Sequence, residues 1–513
     1  MIRRIWVMVL MVSLLAIPAA RDARAGSPEM PRGEAMQEIL ARFEAYAEQA
    51  RQDWGIPGMA IAIVQGDEMV YARGFGTKSM GGSDPVDENT LFQIGSTSKA
   101  FTSALMAQLV AEGKLKWTDK VVDYLPDFAM YEPWVTREFT IEDLMAQRSG
   151  MADHAAMNLY WFGYSRDDLA RSSRYIKPVT SFRSAFAYQN ILFNVAGAVI
   201  ERVTDKSWDQ NVAERIFDPL GMTASSSDTA TFLAAANAVN LHQRRDAEVA
   251  PLAKDWPYHT GIDAAGPAGG INSNVVDMAK WLRLHLNEGQ FEGSQVVEGQ
   301  ALAYTHLPRT LMGDTLPWSY GLAWMFQPGL VPSAIIRHDG ETLGGRAEVS
   351  LIPDKQVGMV VLSNMADQDL GAYLSYYFYD LYFSLPPTDW SGLMLPEKNE
   401  ELAQSRARMA ATDARRVAAP ARALSSYSGA YQNALYGQIE VSETSGSLEI
   451  TIGPGKVKLE LQPAGGDDFL VSLPQFSNYF GEAKFSMGPD GWAQGVVITR
   501  LAADGNGAFE RLP

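Results

Sequence analysis

The 513-residue chain contains no cysteine. That excludes disulfides, thiolate metal sites, a cysteine nucleophile and a lipidated N-terminal cysteine together. Histidine is scarce too, at six residues. None stands in H-E-x-x-H or a comparable spacing, so no metal site and no cofactor is expected. His154, His242, His259, His285 and His306 are scattered and read as structural or solvated. Basic residues are outnumbered 43 to 60, for a net charge of −17. With no basic run to offset it, such a surface repels nucleic acid and anionic membrane. A small-molecule ester, amide or peptide is the expected partner. Long apolar runs are absent except at residues 5–17, behind Arg3 and Arg4 and ahead of Ala23-Arg24-Ala25. That run is short of the ~20 residues needed to cross a bilayer. A basic start, a short apolar run and a small-x-small site make a secretory signal peptide, cleaved after Ala25. A periplasmic or secreted protein without stable membrane insertion is expected.

Hydrophobic residues make up 47% and charged residues 20%, an ordinary balance for a globular protein. The length calls for more than one core. A helical lead-in over 36–53 precedes the apolar run Met59-Ala-Ile-Ala-Ile-Val64, a buried strand that turns at Gln65-Gly66-Asp67 and returns over 69–74. From Ser96 the period becomes helical, with Phe101, Ala104, Leu105, Leu109 and Val110 on one face. The middle stays mainly helical, for example over 141–147, 195–203 and 275–286. Strands return over 347–352 and 357–362 around Pro353-Asp354-Lys355. Strands at both ends and helices between them suggest one antiparallel sheet with a helical insertion, an α/β (α+β) domain over 26–390. Residues 391–424 read as a charged, Ala-rich, partly helical linker. Beyond them, short strands over 438–441, 448–452, 457–461, 469–473 and 495–498 predict a separate antiparallel β-barrel or sandwich over 425–513.

Three motifs carry chemistry. Ser96-Thr-Ser-Lys99 sits at the mouth of a helix, where spacing i, i+3 puts hydroxyl and amine on one face. Free N–H groups at the helix start also point at any developing oxyanion. A desolvated lysine is neutral enough to take the serine proton. Tyr188-Gln-Asn190 adds a phenol and an amide: Tyr188 could relay the proton to a leaving group, its pKa lowered by the lysine charge, and Asn190 could hold Lys99 or the substrate carbonyl. The same pattern recurs at Tyr431-Gln-Asn433, inside the predicted β module. His338-Asp-Gly340 precedes the late hairpin, where an edge strand could set the Glu341 amide opposite that of Ser96 as an oxyanion hole. His259-Thr-Gly261 is its rival, followed by a loop instead of a strand. No G-x-S-x-G elbow follows a strand, so α/β-hydrolase chemistry drops away. The aromatic cluster Tyr160-Trp-Phe-Gly-Tyr164 reads equally as an acyl-pocket floor or as core.

The order S-x-x-K, Y-x-N, H-x-G resembles that of the serine β-lactamase and penicillin-binding-protein superfamily. The branch it resembles most holds class C β-lactamases, D-alanyl-D-alanine carboxypeptidases, D-aminopeptidases and related esterases. Phe92-Gln-Ile-Gly-Ser96, Thr140-Ile-Glu-Asp-Leu-Met-Ala-Gln-Arg-Ser-Gly150, Ile216-Phe-Asp-Pro-Leu-Gly-Met222 and Gly266-Pro-Ala-Gly-Gly270 agree with it. The resemblance spans about residues 35–383. It implies Ser96 as nucleophile, Lys99 and Tyr188 as general bases and acids, and Asn190 and His338 as substrate-side groups. It also implies an antiparallel sheet flanked by helices plus an all-helical lobe, with a lipocalin-like barrel behind. His338 and Asp339 replace the K-T-G of many members. An uncharged histidine there would hold a carboxylate weakly, which favours ester or D-amino-acid peptide hydrolysis over β-lactam hydrolysis.

Overall fold

The computed structural model describes residues 31–245, 248–256, 259–473, 479–502 and 505–513. The segment read as a signal peptide lies outside them. The first core is built on an eight-stranded antiparallel sheet. Its strands in chain order are β1 (Gly58–Gln65), β2 (Glu68–Gly76), β3 (Thr310–Leu311), β4 (Ser319–Tyr320), β5 (Met325–Gln327), β6 (Ile335–Glu341), β7 (Arg346–Ile352) and β8 (Val357–Ser363). Their spatial order is β2-β1-β8-β7-β6-β5-β4-β3, so the N-terminal hairpin pairs with the last strand. Both chain ends of the domain therefore close one sheet.

Successive residues of a strand face opposite sides. In β1, Met59, Ile61 and Ile63 enter the core formed with helices α1 (Glu34–Asp53) and α5 (Leu370–Tyr382). Ala60, Ala62 and Val64 face the other core, which holds α2 (Ser98–Ala111), α3 (Ile191–Thr204) and α4 (Val275–Leu286). A strand buried on both sides has no polar face, which is why it reads as a continuous apolar run. The insertion between β2 and β3 is mainly helical but not wholly so. It carries three two-stranded ribbons, of which Phe92–Gln93 with Asn272–Ser273 lies immediately before the serine motif.

Helix α6 (Trp390–Asp413) occupies most of the segment read as a linker. Its first turn belongs to the first core: Trp390 Nε1 donates to Asp380 at 3.0 Å, and Trp54 Nε1 donates to Ser391 Oγ at 2.9 Å. Farther on, the Val417 N–H donates to the Pro463 carbonyl at 3.0 Å, so the segment is fastened at both ends. The C-terminal strands close an antiparallel barrel of eight: β9 (Gly429–Asn433), β10 (Gly437–Thr444), β11 (Ser447–Ile452), β12 (Val457–Gly465), β13 (Asp468–Ser472), β14 (Tyr479–Met487), β15 (Ala493–Ile498) and β16 (Ala508–Arg511). Closure removes the exposed edges. The barrel docks on the insertion through the aromatic cluster. Phe162 packs on Tyr436 and Phe480, its carbonyl accepts from the Gly455 N–H at 2.9 Å, and Tyr164 donates to the Tyr436 carbonyl at 2.6 Å. Among the described residues no helix is long and apolar enough to cross a membrane.

Candidate active site

Gly95, at φ 52°, turns the chain out of its short ribbon into a 3-10 turn that runs straight into α2. Ser96 stands in that turn and Lys99 one turn on, on the same face. Helix α2 is buried almost throughout, and Lys99 is fully buried with it. Its Nζ lies 3.0 Å from Ser96 Oγ, 2.7 Å from Asn190 Oδ1 and 2.7 Å from the Ala268 carbonyl oxygen. Burial holds the amine well below the ordinary lysine range, with the Asp339 charge pulling weakly the other way. A neutral amine has two hydrogens and one lone pair. Asn190 Oδ1 and the Ala268 carbonyl can only accept, so they take both hydrogens and leave the lone pair facing the Ser96 hydroxyl. Asn190 thus holds Lys99, the first of its two expected uses.

The Tyr188 hydroxyl is buried beside Ser96 and has no hydrogen-bond partner of full geometry among the described residues. Lys99 Nζ lies over the Tyr188 ring, 4.7 Å from its centroid. The expected lowering of the phenol pKa by a lysine charge is not what the site produces. Burial pushes the phenol well above its ordinary value, Tyr320 adds to this, and Ser96 only partly opposes it. The reason is that Lys99 itself is driven toward neutrality.

Strand β6 carries His338, Gly340 and Glu341 past the serine turn. A Cβ at Gly340 would lie 1.9 Å from the Ile94 carbonyl oxygen and 2.9 Å from the Ser96 nitrogen, and one at Gly95 would lie 2.7 Å from the Glu341 nitrogen. Only glycine at both positions lets the two backbones touch, with the Glu341 amide beside Ser96. His338 is buried and its pKa falls to about 4, chiefly by desolvation. Its Nδ1 meets the Asp339 carbonyl and its Nε2 meets the Tyr320 hydroxyl at 2.9 Å. A carbonyl only accepts, so Nδ1 carries the proton and Nε2 accepts from Tyr320. Both ring nitrogens are engaged within the protein, while His338, expected as a substrate-side group, lines the same cavity as Ser96. Asp339 turns to the other face of the sheet, 2.9 Å from Arg346, beside the pair Arg337–Glu348. The rival His259 bonds the Ala253 carbonyl at 2.7 Å and lines a different, much smaller hollow.

Ser96, Tyr188, Asn190, His338 and Glu341 share a cavity of about 740 Å³. Tyr160 and Trp161 form part of its wall while Phe162 and Tyr164 pack against the barrel. The barrel contributes Leu473, Tyr479, Phe480 and Arg500 to the lining. His154, read as structural or solvated, also lines it. The Ala268 carbonyl has no side-chain signature to betray it; its only trace was the run 266–270. Tyr320 and the Asp153–His154 pair carried no motif at all. Among the described residues no group of three His, Asp or Glu side chains could hold a metal.

Comparison with known proteins agrees with this fold. A family model described as Beta-lactamase matches residues 43–376, and a Domain of unknown function (DUF3471) matches 413–510. The chain is 28% identical to the unguisins hydrolase ungD' of Aspergillus campestris over 499 residues, covering 89% of this chain and 88% of that protein. It is 27% identical to penicillin-binding protein 4 of Amycolatopsis lactamdurans over 372 residues, covering 69% and 90%. In fold it is similar to the octameric penicillin-binding protein homologue from Pyrococcus abyssi, with TM-score 0.61 and 19% identity over 92% of this chain and all of that one. A D-stereospecific amidohydrolase from Streptomyces sp. superposes with TM-score 0.54 and 20% identity over 67% of this chain and 98% of that one. With the matched model spanning well over half of its length, the chain belongs to the Beta-lactamase family.

Proposed function

We propose that this chain is a serine hydrolase that cleaves an ester or amide bond through an acyl-enzyme on Ser96, of the esterase or D-amino-acid peptidase type. The observation that carries the reading is the buried Lys99 amine, 3.0 Å from Ser96 Oγ with its hydrogens committed elsewhere. Lys99 takes the Ser96 proton as Oγ bonds to the substrate carbonyl carbon. The resulting oxyanion sits between the Ser96 and Glu341 N–H groups. Tyr188, held protonated, gives its proton to the departing amine or alkoxide and is reprotonated from Lys99. Water then attacks the acyl-enzyme by the reverse relay and frees Ser96.

A β-lactamase or D,D-carboxypeptidase reading has the penicillin-binding protein 4 relative in its favour. Against it, the neutral, fully engaged His338 offers no cation to a substrate carboxylate. The structural neighbour called D-stereospecific amidohydrolase leans toward amide bonds. The test is covalent labelling with a fluorophosphonate, read by peptide mass spectrometry. One adduct on Ser96, lost in a folded Ser96→Ala variant together with turnover of p-nitrophenyl esters and D-alanyl p-nitroanilide, is the expected result. An adduct on another serine, or an active Ser96→Ala variant, would overturn it.

A further inference from the structure

Three non-glycine residues with left-handed backbone fall in one short stretch: Gln147 at φ 55°, His154 at 56° and Ala156 at 58°. Each such residue is strained unless its surroundings hold it there. What holds this loop is the segment that carries Tyr188. Asp153 Oδ1 accepts from the Tyr188 N–H at 2.7 Å, and the His154 N–H donates to the Tyr188 carbonyl at 2.7 Å. Gln147 Oε1 accepts from the Gln189 N–H at 2.6 Å, and its Nε2 donates to the Gln189 carbonyl at 3.2 Å. All four backbone polar groups of Tyr188 and Gln189 are therefore gripped by 147–154. Strain of this kind gathers where position matters.

The same Asp153 has a second oxygen, and Oδ2 lies 2.9 Å from His154 Nδ1. Burial opposes ionisation of this carboxyl, but the His154 and Tyr188 contacts outweigh it and lower its pKa. A carboxylate only accepts, so His154 carries its proton on Nδ1, and the neutral ring has its lone pair on Nε2. The imidazole lines the Ser96 cavity with its ring centroid 5.1 Å from that of Tyr188. Tyr188 is the group assigned to the leaving side of the substrate, so an acceptor beside it meets whatever hydrogen the leaving group bears. An amine leaving group bears an N–H. An alkoxide bears none.

We propose that Asp153 and His154 form a selectivity pair: Asp153 positions Tyr188 and fixes the His154 tautomer, and His154 Nε2 accepts the leaving-group N–H of an amide substrate. This rests on the hydrolase reading above and deepens it, from ester or amide to amide. The selectivity is read as the ratio of kcat/KM for D-alanyl p-nitroanilide to that for the matched D-alanyl p-nitrophenyl ester. One neutral hydrogen bond is worth about a two- to tenfold change in that ratio. His154→Ala should lower it by that much, and His154→Gln, whose amide oxygen can accept, should recover part of it. In Asp153→Asn the side-chain oxygen can serve only one of its two partners. Kept on Tyr188, it sets an N–H against Nδ1, moves the imidazole proton to Nε2 and turns the acceptor into a donor. The ratio should then fall at least as far as in His154→Ala, an outcome that a purely structural loop would not produce. In the native protein, ¹⁵N shifts of His154 should report an Nδ1–H tautomer. An Nε2–H tautomer, or an unmoved ratio in both variants with Ser96 labelling intact, overturns the proposal. Failure of native Ser96 to label overturns the hydrolase reading itself.

Discussion

Gly340→Ala isolates the contact on which the proposed oxyanion site depends. The added methyl would lie 1.9 Å from the Ile94 carbonyl oxygen and 2.9 Å from the Ser96 nitrogen. Carbon and oxygen normally stay ~3.3 Å or more apart even in close C–H···O contacts, so β6 must withdraw by roughly 1.4 Å or the serine turn must move as far. Neither neighbour is a flexible side chain that can swing aside. Oxyanion donors work at about 2.7–3.1 Å, and a shift of that size takes the Glu341 N–H out of reach. Loss of one such donor lowers kcat by about 10²–10³. Overpacking also costs about 1–3 kcal/mol of stability, which must be measured apart from activity. The experiment combines steady-state kinetics on a p-nitrophenyl ester with urea unfolding and the rate of fluorophosphonate labelling at Ser96. We expect a folded protein with kcat down at least a hundredfold and KM changed far less. A folded Gly340→Ala enzyme within about threefold of native kcat would refute both the oxyanion assignment and the tight approach of β6.

Two further outcomes follow from the pKa directions. Since Lys99 is held well below the ordinary lysine range and Tyr188 above the ordinary phenol range, kcat/KM should rise with pH along a limb that lies below the ordinary lysine range and belongs to Lys99. Tyr188→Phe should cut kcat by about 10²–10⁴ yet keep that limb, and its disappearance would make Tyr188 the base. Buried His285 and half-buried His306 form a pair, Nδ1 to Nε2 at 3.0 Å, and desolvation lowers His306 to about 4. The unfolded chain binds more protons than the native one between about pH 6.5 and 4, so stability falls as pH drops through that window, by about 3 kcal/mol for His306. Urea midpoints of native protein and His306→Asn at pH 7 and 4.5 check this, and an equal acid loss in both would exclude the histidine.

How much could be read in advance depended on where each element's neighbours sit. Strands β1, β7 and β8 were legible because burial on both faces leaves a continuous apolar run. β3 and β4 are two residues each and have no period to detect. In the barrel, β14 alternates only in its second half, and it was missed along with β9 and β16. Helix α6 buries Trp390, Ser391 and Met394 and little else, so its composition resembles a linker. S-x-x-K was legible because three residues on a helix make one face. Tyr188, Asn190 and His338 come from distant segments, and the resemblance to a family, not any spacing, brought them together. The grip of 147–154 on Tyr188 was invisible because most of it is made to backbone, which leaves no mark in a sequence.

The direction of proton flow was the harder matter, since a sequence lists side chains but not their solvent. Expecting Lys99 to lower Tyr188 took the lysine to be charged. In the folded chain α2 is buried up to the turn that bears Ser96, and among the described residues the other hydrogen-bond partners of the amine are two oxygens that cannot donate. A charged amine there would be desolvated with no carboxylate in contact, so the neutral form is favoured and the field that would have stabilised a phenolate vanishes. Tyr188, its hydroxyl buried in the same apolar wall, keeps its proton for the same reason that Lys99 gives one up. One environment thus moves an amine down and a phenol up. Two titratable groups pushed apart in this way fit the roles proposed for them, the one left empty accepting from Ser96 and the one left full donating to the leaving group. Under the proposed mechanism, burial common to both residues is what would make a base and an acid of a lysine and a tyrosine whose free pKa values nearly coincide.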